Sequence, residues 1–453
     1  MSKCYVEIIN TKMLYTEPMF AYNVLYIDSK GMYSMNNFDK LIFHVDVNSA
    51  YLSWEATYRV QHGEKVDLRE IPSVVGGDEE SRQGIVLAKS IPAKKYKIAT
   101  GESLFLARQK CPELVIAPPR YDLYMQCSNA LNEILQQYTP QIQRFSVDES
   151  FLDFSNMQHL YPDYMKLAEE IKERIKKELG FTVNIGMSSN KLLAKVASDF
   201  EKPDNIHTLF PWEIKDKMWP LPVEDLFMVG GATLPKLNKL NIFTIGELAN
   251  YDLEVLKSVL KSHGALIWNY ANGIDNSEVR KSSHIEMKGI GNSTTIPFDV
   301  EDRETAHLVL LSLAEMVGAR LRNSQNCCSV ISINIRSSNF ISYSHQKKLY
   351  CPTDCTKKIA EVSYRLFDEK WNGEPVRHIG IQVTQLCTNE FYQCSLFDNG
   401  NSEKERALDK TLDKIRSKYG SGALVRSSFL HSGIKSISGG IGEEDYPVMS
   451  SLL

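Results

Sequence analysis

Three acidic side chains stand where an acid is hard to keep. Asp46 lies in the run LIFHVDV (41–47), and Asp148 and Glu149 lie in FSVDESFLDF (145–154). Short apolar runs rich in β-branched and aromatic residues read as buried strands. A carboxylate buried there costs several kcal/mol unless something compensates it. A shared cation accounts for all three acids together. Hard oxygen donors select Mg²⁺, and Mg²⁺ commonly brings a phosphate with it. The simpler alternative is that Asp46 caps a helix and that Asp148 and Glu149 occupy a solvated turn.

The elements that would position these acids belong to a long chain. At 453 residues it exceeds one hydrophobic core, so several domains are expected. A net charge of −4 excludes a uniformly basic polyanion binder, so any nucleic-acid surface must be local. No apolar run reaches membrane-span length, and no basic-then-apolar secretory leader is visible, so no membrane role is expected. The nine cysteines include no C-x-x-C pair, which reads as reduced thiols in a cytoplasmic protein.

Residues 1–38 show no clean period and are assigned no function; they read as an N-terminal extension or an upstream start. Residues 41–60 read as strand, tight turn and helix. Residues 71–120 form an insert punctuated by Pro and Gly, and a helix follows from Tyr121 to Gln137. After the second acidic strand, Tyr164, Leu167, Ala168, Ile171 and Ile175 recur at helical spacing. Val183–Ser188 reads as a strand and Asn190–Phe200 as a helix. This order predicts an α+β sheet with helices on one face.

Residues 206–285 read as all-helical. Within them Gly230 and Gly231 form a turn that opens a helix, in the manner of a helix–hairpin–helix able to hold a phosphate. A separate domain over 294–388 has Glu304–Asn323 and Thr356–Lys370 as helices. Ile331, Ile333 and Ile335 alternate with polar residues up to Arg336, a strand with one wet face. A second strand carries Lys347 and Lys348, and Arg377–Leu386 is a third. The tail, 389–453, holds QCSLFD at 393–398 and then a charged helix over 402–419. An exposed Leu396–Phe397 pair could plug a partner's apolar pocket.

Five ordered motifs now carry a resemblance. They are the strand to Asp46 with Tyr51 beyond it, the SVDES strand, the stretch NIGMSSNKLLAKVASDFEKPD (184–204), the hairpin near Gly230, and the Gln393, Leu396, Phe397 tail. Together they resemble the Y-family translesion DNA polymerases of the bacterial DNA polymerase IV type, from about Leu41 to Asp398. The resemblance implies an α+β multidomain right hand: palm over 39–70 and 121–205, small fingers over 71–120, helical thumb over 206–285, and little finger over 294–388.

It also implies low-fidelity, proofreading-free addition of deoxynucleotides to a primer 3′-OH in DNA damage tolerance and repair. Asp46, Asp148 and Glu149 would be catalytic. With the Val47 carbonyl they would ligate two Mg²⁺ ions. Tyr51 would be the sugar gate, Lys94 and Lys202 the phosphate cations, and Ile85, Leu87 and Gly101 the roof over the nascent pair. Gly230, Gly231, Arg336 and Lys347 would touch primer–template DNA, and Gln393, Leu396 and Phe397 a sliding clamp. The implied protein is a nucleoid-associated cytoplasmic monomer. The sequence departs from the family at Asn48, often Asp, at Ile91, often Tyr, and at Lys94, often Arg. Lys191 and Lys195 are expected either at the surface or on DNA. Two other classes fit part of the pattern: a nucleotide cyclase, which needs no hairpin or C-terminal domain, and a DNA-binding accessory protein with a vestigial site.

Overall fold

A computed structural model describes residues 40–80, 82, 84–280, 287–389, 402–430 and 432. The N-terminal extension and Gln393, Leu396 and Phe397 lie outside the described residues. Strand β1 (Ile42–Val47) leads through a tight turn into helix α1 (Ala50–Gln61). The insert follows as β2 (Ser73–Gly76), β3 (Val86–Lys89), α2 (Ile91–Lys95), α3 (Leu104–Lys110) and β4 (Val115–Ala117). Its three strands form a small sheet in the order β3-β2-β4.

The chain then returns to the first sheet. It passes through α4 (Tyr121–Gln136), β5 (Ile142–Arg144), β6 (Glu149–Asp153), α5 (Tyr164–Leu179), β7 (Val183–Ser188), α6 (Lys191–Ser198) and β8 (Ile206–Thr208). Sheet order is β5-β6-β1-β7-β8. Strand β8 pairs in parallel with β7, which corrects the all-helical reading of 206–285 at its start. Three residues are too few to show a period, so only the pairing reveals the strand.

Alternation along β1 sorts its residues to two faces. Phe43, Val45 and Val47 pack in a core with Leu135, Leu167, Ile171 and Ile175 of α4 and α5. Ile42 packs on the opposite face with Phe151 and Ala194 of α6. Helices therefore cover both faces, not one. Gly186 permits this: a Cβ there would stand 2.0 Å from the Ala194 carbonyl oxygen and 2.4 Å from the Ser198 nitrogen. Helix α6 is buried along all of its residues, because Leu192, Leu193 and Val196 turn the other way into the helical region's core.

That region holds α7 (Leu234–Lys239), α8 (Ile245–Ala249), α9 (Leu253–Leu260) and α10 (Ser262–Ala271). The C-terminal unit runs β9 (Gly289–Val300), α11 (Arg303–Asn323), β10 (Asn326–Ser337), β11 (Ser342–Thr353), α12 (Thr356–Lys370) and β12 (Val376–Thr388). Its strands order as β11-β10-β12-β9, with both helices on one side, and it begins earlier than 294. Helix α13 (Ser402–Tyr419) packs on this unit by charge. Arg322 meets Asp413 at 2.5 Å, Arg406 meets the buried Asp354 at 2.7 Å, and Glu315 receives Arg416 and Arg426. Arg82 of the insert reaches Asp299 of β9 at 2.5 Å.

Candidate active site

Register brings the acids together. Asp46 stands directly opposite Glu149 across β1 and β6, and the Val47 N–H donates to the Asp148 carbonyl at 3.1 Å. The predicted strand through 145–154 is corrected at its start: Phe145 to Asp148 form the β5–β6 hairpin turn. The Phe145 N–H donates to the Glu149 carbonyl at 2.9 Å, and the Ser146 hydroxyl accepts from the Glu149 N–H at 3.0 Å and meets the Asp148 carboxylate. Asp148 thus sits in a turn, in keeping with the simpler alternative, but in a half-buried one.

A cavity of about 630 Å³ opens at this edge. Asp46, Val47, Asn48, Tyr51, Leu87, Lys94, Asp148 and Lys202 all line it. Glu149 does not. Lys195 holds its carboxylate, and Lys202 holds that of Asp46 while also reaching Asp199 at 2.8 Å. Among the described residues, no three His, Cys, Asp or Glu side chains are gathered closely enough to grip a metal as they stand. The expected three-acid cage is therefore not closed, because two ammonium groups neutralise two of its members.

The electrostatics fit a site built for added positive charge. Burial lifts Asp46 to about 6, Lys202 opposes the lift, and the nearby Glu149 charge adds to it. Burial also raises Asp148, against the Ser146 hydroxyl and with the Asp46 charge. Burial raises Glu149, against Lys195 and with Asp148. Burial pulls Lys202 down, but Asp46 and Asp199 reverse this and hold it above the lysine range. Beneath them His44 is buried, its Nδ1 2.7 Å from the Ser198 hydroxyl. Burial, then Lys195 and Lys202, keep its pKa well below the usual value. An all-oxygen set of crowded, raised carboxylates suits a hard divalent cation.

The rest of the cavity wall suits an anion and a ring. Ser49 takes φ 50° and makes no side-chain cap at α1, whose first turn lines the cavity with its positive dipole end. Lys94 enters from α2 with Ile91 beside it. Tyr51 stacks on Tyr124 at 4.6 Å and 12°, and lies 5.9 Å from Trp54. Asn48 is tied to another wall residue, its Nδ2 donating to the Thr182 hydroxyl at 3.1 Å. Of the expected roof, Leu87 lines this cavity and Ile85 the neighbouring cleft. Gly101 lies on neither wall; its N–H donates to the Val86 carbonyl at 2.8 Å, and Thr100 takes its place.

Arg69, Lys89 and Thr182 also line the cavity and carried no sequence signal, since their neighbours there are distant in the chain. Lys191 and Lys195 are corrected: they are 1% and 8% exposed, not surface residues. Four residues apart on a helix that is otherwise apolar and small, they could have been read as buried and partnered. Lys191 donates to the Gln143 side chain at 3.0 Å. Gly230 and Gly231 are exposed ahead of α7 with open space at each Cβ position. Arg336 stands on the open sheet face. Lys347 pairs with Ile331, on the side the helices cover, and Lys348, opposite Val330, shares the face of Arg336. The register runs unbroken from Arg336 opposite Ser342 to Val330 opposite Lys348, so the face of each lysine follows from where β11 pairs, which is a long-range choice.

Two family models match the chain. The impB/mucB/samB family covers residues 45–199, and its C-terminal domain covers 287–396. The chain belongs to the Y-family DNA polymerases, alongside DNA polymerase IV. It is 51% identical to DNA polymerase IV of Clostridium acetobutylicum over 86% of this chain and 98% of that protein. It is 40% identical to DNA polymerase IV of Acetivibrio thermocellus over 84% and 95%. Among solved structures, a Y-family chimera, Dbh-Dpo4(243-245)-Dbh, aligns with a TM-score of 0.66 and 21% identity over 77% of this chain and all of that one, which speaks for the fold. In this polymerase the first match spans β1 to α6, the elements that carry Asp46, Asp148, Glu149 and Lys195. Membership removes the cyclase alternative. No helix among the described residues is long and apolar enough to cross a membrane.

Proposed function

We propose that this polymerase extends a primer 3′-OH with deoxynucleotides on damaged templates, by two-metal phosphoryl transfer, with low fidelity and no proofreading. One observation carries the reading: Asp46 and Asp148 share a cavity with the uncapped first turn of α1, Lys94 and Lys202. Asp46, Asp148 and the Val47 carbonyl would hold two Mg²⁺ ions, joined by Glu149 once it leaves Lys195. Bound there, the ions supply charge neutralisation at the phosphates and acidify the primer hydroxyl.

The chain's own groups do the rest. The α1 N–H donors receive the triphosphate. Lys94 and Lys202 neutralise its outer phosphates, Lys202 trading Asp46 for phosphate oxygen. As a point charge, Lys94 gives up the bidentate fork of an arginine. Tyr51, braced by Tyr124 and Trp54, excludes a 2′-hydroxyl by bulk. Leu87 and Thr100 on the cavity wall, with Ile85 in the adjoining cleft, cover the nascent base pair. The sheet over 42–47, 142–153 and 183–208 is the palm, 71–120 the fingers, 211–271 the thumb, and 289–388 the little finger.

Gly230 and Gly231 offer backbone N–H groups to a DNA phosphate, and the polar sheet face with Arg336 follows the duplex, with Lys347 at its edge. Gln393, Leu396 and Phe397 plug a sliding clamp, and the enzyme works as a monomer on nucleoid DNA in the cytoplasm. Primer extension on undamaged and abasic templates tests the reading. Short products that vanish with chelator and with Asp148→Ala, while primer–template binding persists, are expected. Wild-type extension by Asp148→Ala would refute the metal assignment.

A further inference from the structure

Lys195 occupies an unusual position. Its ammonium contacts the Glu149 carboxylate and lies 5.3 Å from the Phe145 ring and 5.7 Å from the Phe227 ring. Phe145 belongs to the β5–β6 hairpin. Phe227 belongs to the helical region, where it stacks on Tyr270 at 6.3 Å. A buried ion pair is worth keeping where further contacts hold the charge in place, and two ring faces provide them here. Asp46 and Asp148 reach the cavity wall and Glu149 does not. The lysine thus fills the role of a cation for one of the three acids.

We propose that Lys195 is a positioning residue that keeps the Glu149 carboxylate off the cavity until a divalent cation displaces it, with Phe227 linking that lysine to the helical region. This rests on the metal reading above. It predicts that the enzyme without nucleotide binds a divalent ion more weakly than its three carboxylates would allow. A shift of the helical region that withdraws Phe227 loosens the lysine and readies Glu149. The ion then completes the site more readily once the helical region has moved.

The test measures binding of Mn²⁺ alone to the full chain, without DNA or nucleotide, from the electron paramagnetic resonance signal of the free ion. Lys195→Met tightens binding about tenfold, the effect of one contact charge in a partly buried site. Phe227→Leu keeps the charge but opens its cage, and tightens binding about two- to fivefold. Lys195→Arg keeps both charge and cage, adds a second donor to Glu149, and weakens binding. These last two variants keep the test open if Lys195→Met does not fold. Tightening in Lys195→Met with no response in Phe227→Leu reduces the lysine to background charge and overturns the proposal. Weaker binding in Lys195→Met overturns it as well. Asp46→Asn separates the two readings. Mn²⁺ binding that survives this change defeats the metal reading itself, whereas its loss beside unresponsive Lys195 variants defeats only the positioning role.

Discussion

Asp46 and Glu149 face each other across one rung of the sheet, yet each is neutralised by a different lysine. Lys202 comes from the loop after α6 and Lys195 from α6 itself. One helix and its exit therefore neutralise two of the three acids, and that pairing depends on how the helix seats on the sheet.

That seating rests on Gly186. In Gly186→Ala the new methyl meets the backbone of Ala194 and Ser198, which cannot move aside as a flexible side chain could. A loss of about 3 kcal/mol or more in urea unfolding is expected. Primer extension by the folded fraction should also fall, because both lysines shift with α6.

Asp46 makes a pH prediction. Its carboxyl titrates near 6 when folded, against 3.8 as a free side chain. The native state therefore holds the proton more tightly than the unfolded chain does across that window. Stability from this group is fully present below 3.8 and is lost as pH rises through about 6. The penalty at neutral pH is on the order of 3 kcal/mol. Asp46→Asn should melt higher than the parent at neutral pH, lose that advantage in acid, and lack primer extension throughout. A thermal midpoint series against pH measures it.

Tyr51 both lines the cavity and stacks in the aromatic cluster. Tyr51→Ala should admit ribonucleotides, seen as at least a tenfold fall in the ratio of deoxy- to ribonucleotide kcat/KM, and cost about 2–3 kcal/mol of stability. Tyr51→Phe, which keeps the ring, should retain discrimination. Unchanged sugar selection in Tyr51→Ala would remove the residue from the site.

Helix α13 is held by paired charges more than by apolar burial. Arg322 joins it through both Asp409 and Asp413 and is itself 6% exposed. Arg322→Ala strips Asp413 of its guanidinium and leaves Asp409 only Arg426 and the Thr356 N–H, and should cost about 3 kcal/mol. Hydrogen exchange should rise over α13 while β1 and β6 stay protected. Equal protection of α13 in the variant would show that the other ion pairs suffice.

Much of this was legible in the chain. Helix α12 spans Thr356–Lys370 and β7 spans Val183–Ser188, as their periods predict. The acid motifs pointed to the family that the relatives show. Such features are local: a period or a turn residue acts over a few neighbours, so it survives in the linear text. What folding alone decided is long-range. The partner of each carboxylate, the burial of Lys191 and Lys195, the turn that holds Asp148, the third-layer helix α6 and the face taken by Lys347 depend on strand register and helix docking. Those are set by pairings between segments far apart in the chain, and a slip of one residue in register reverses which face a side chain takes.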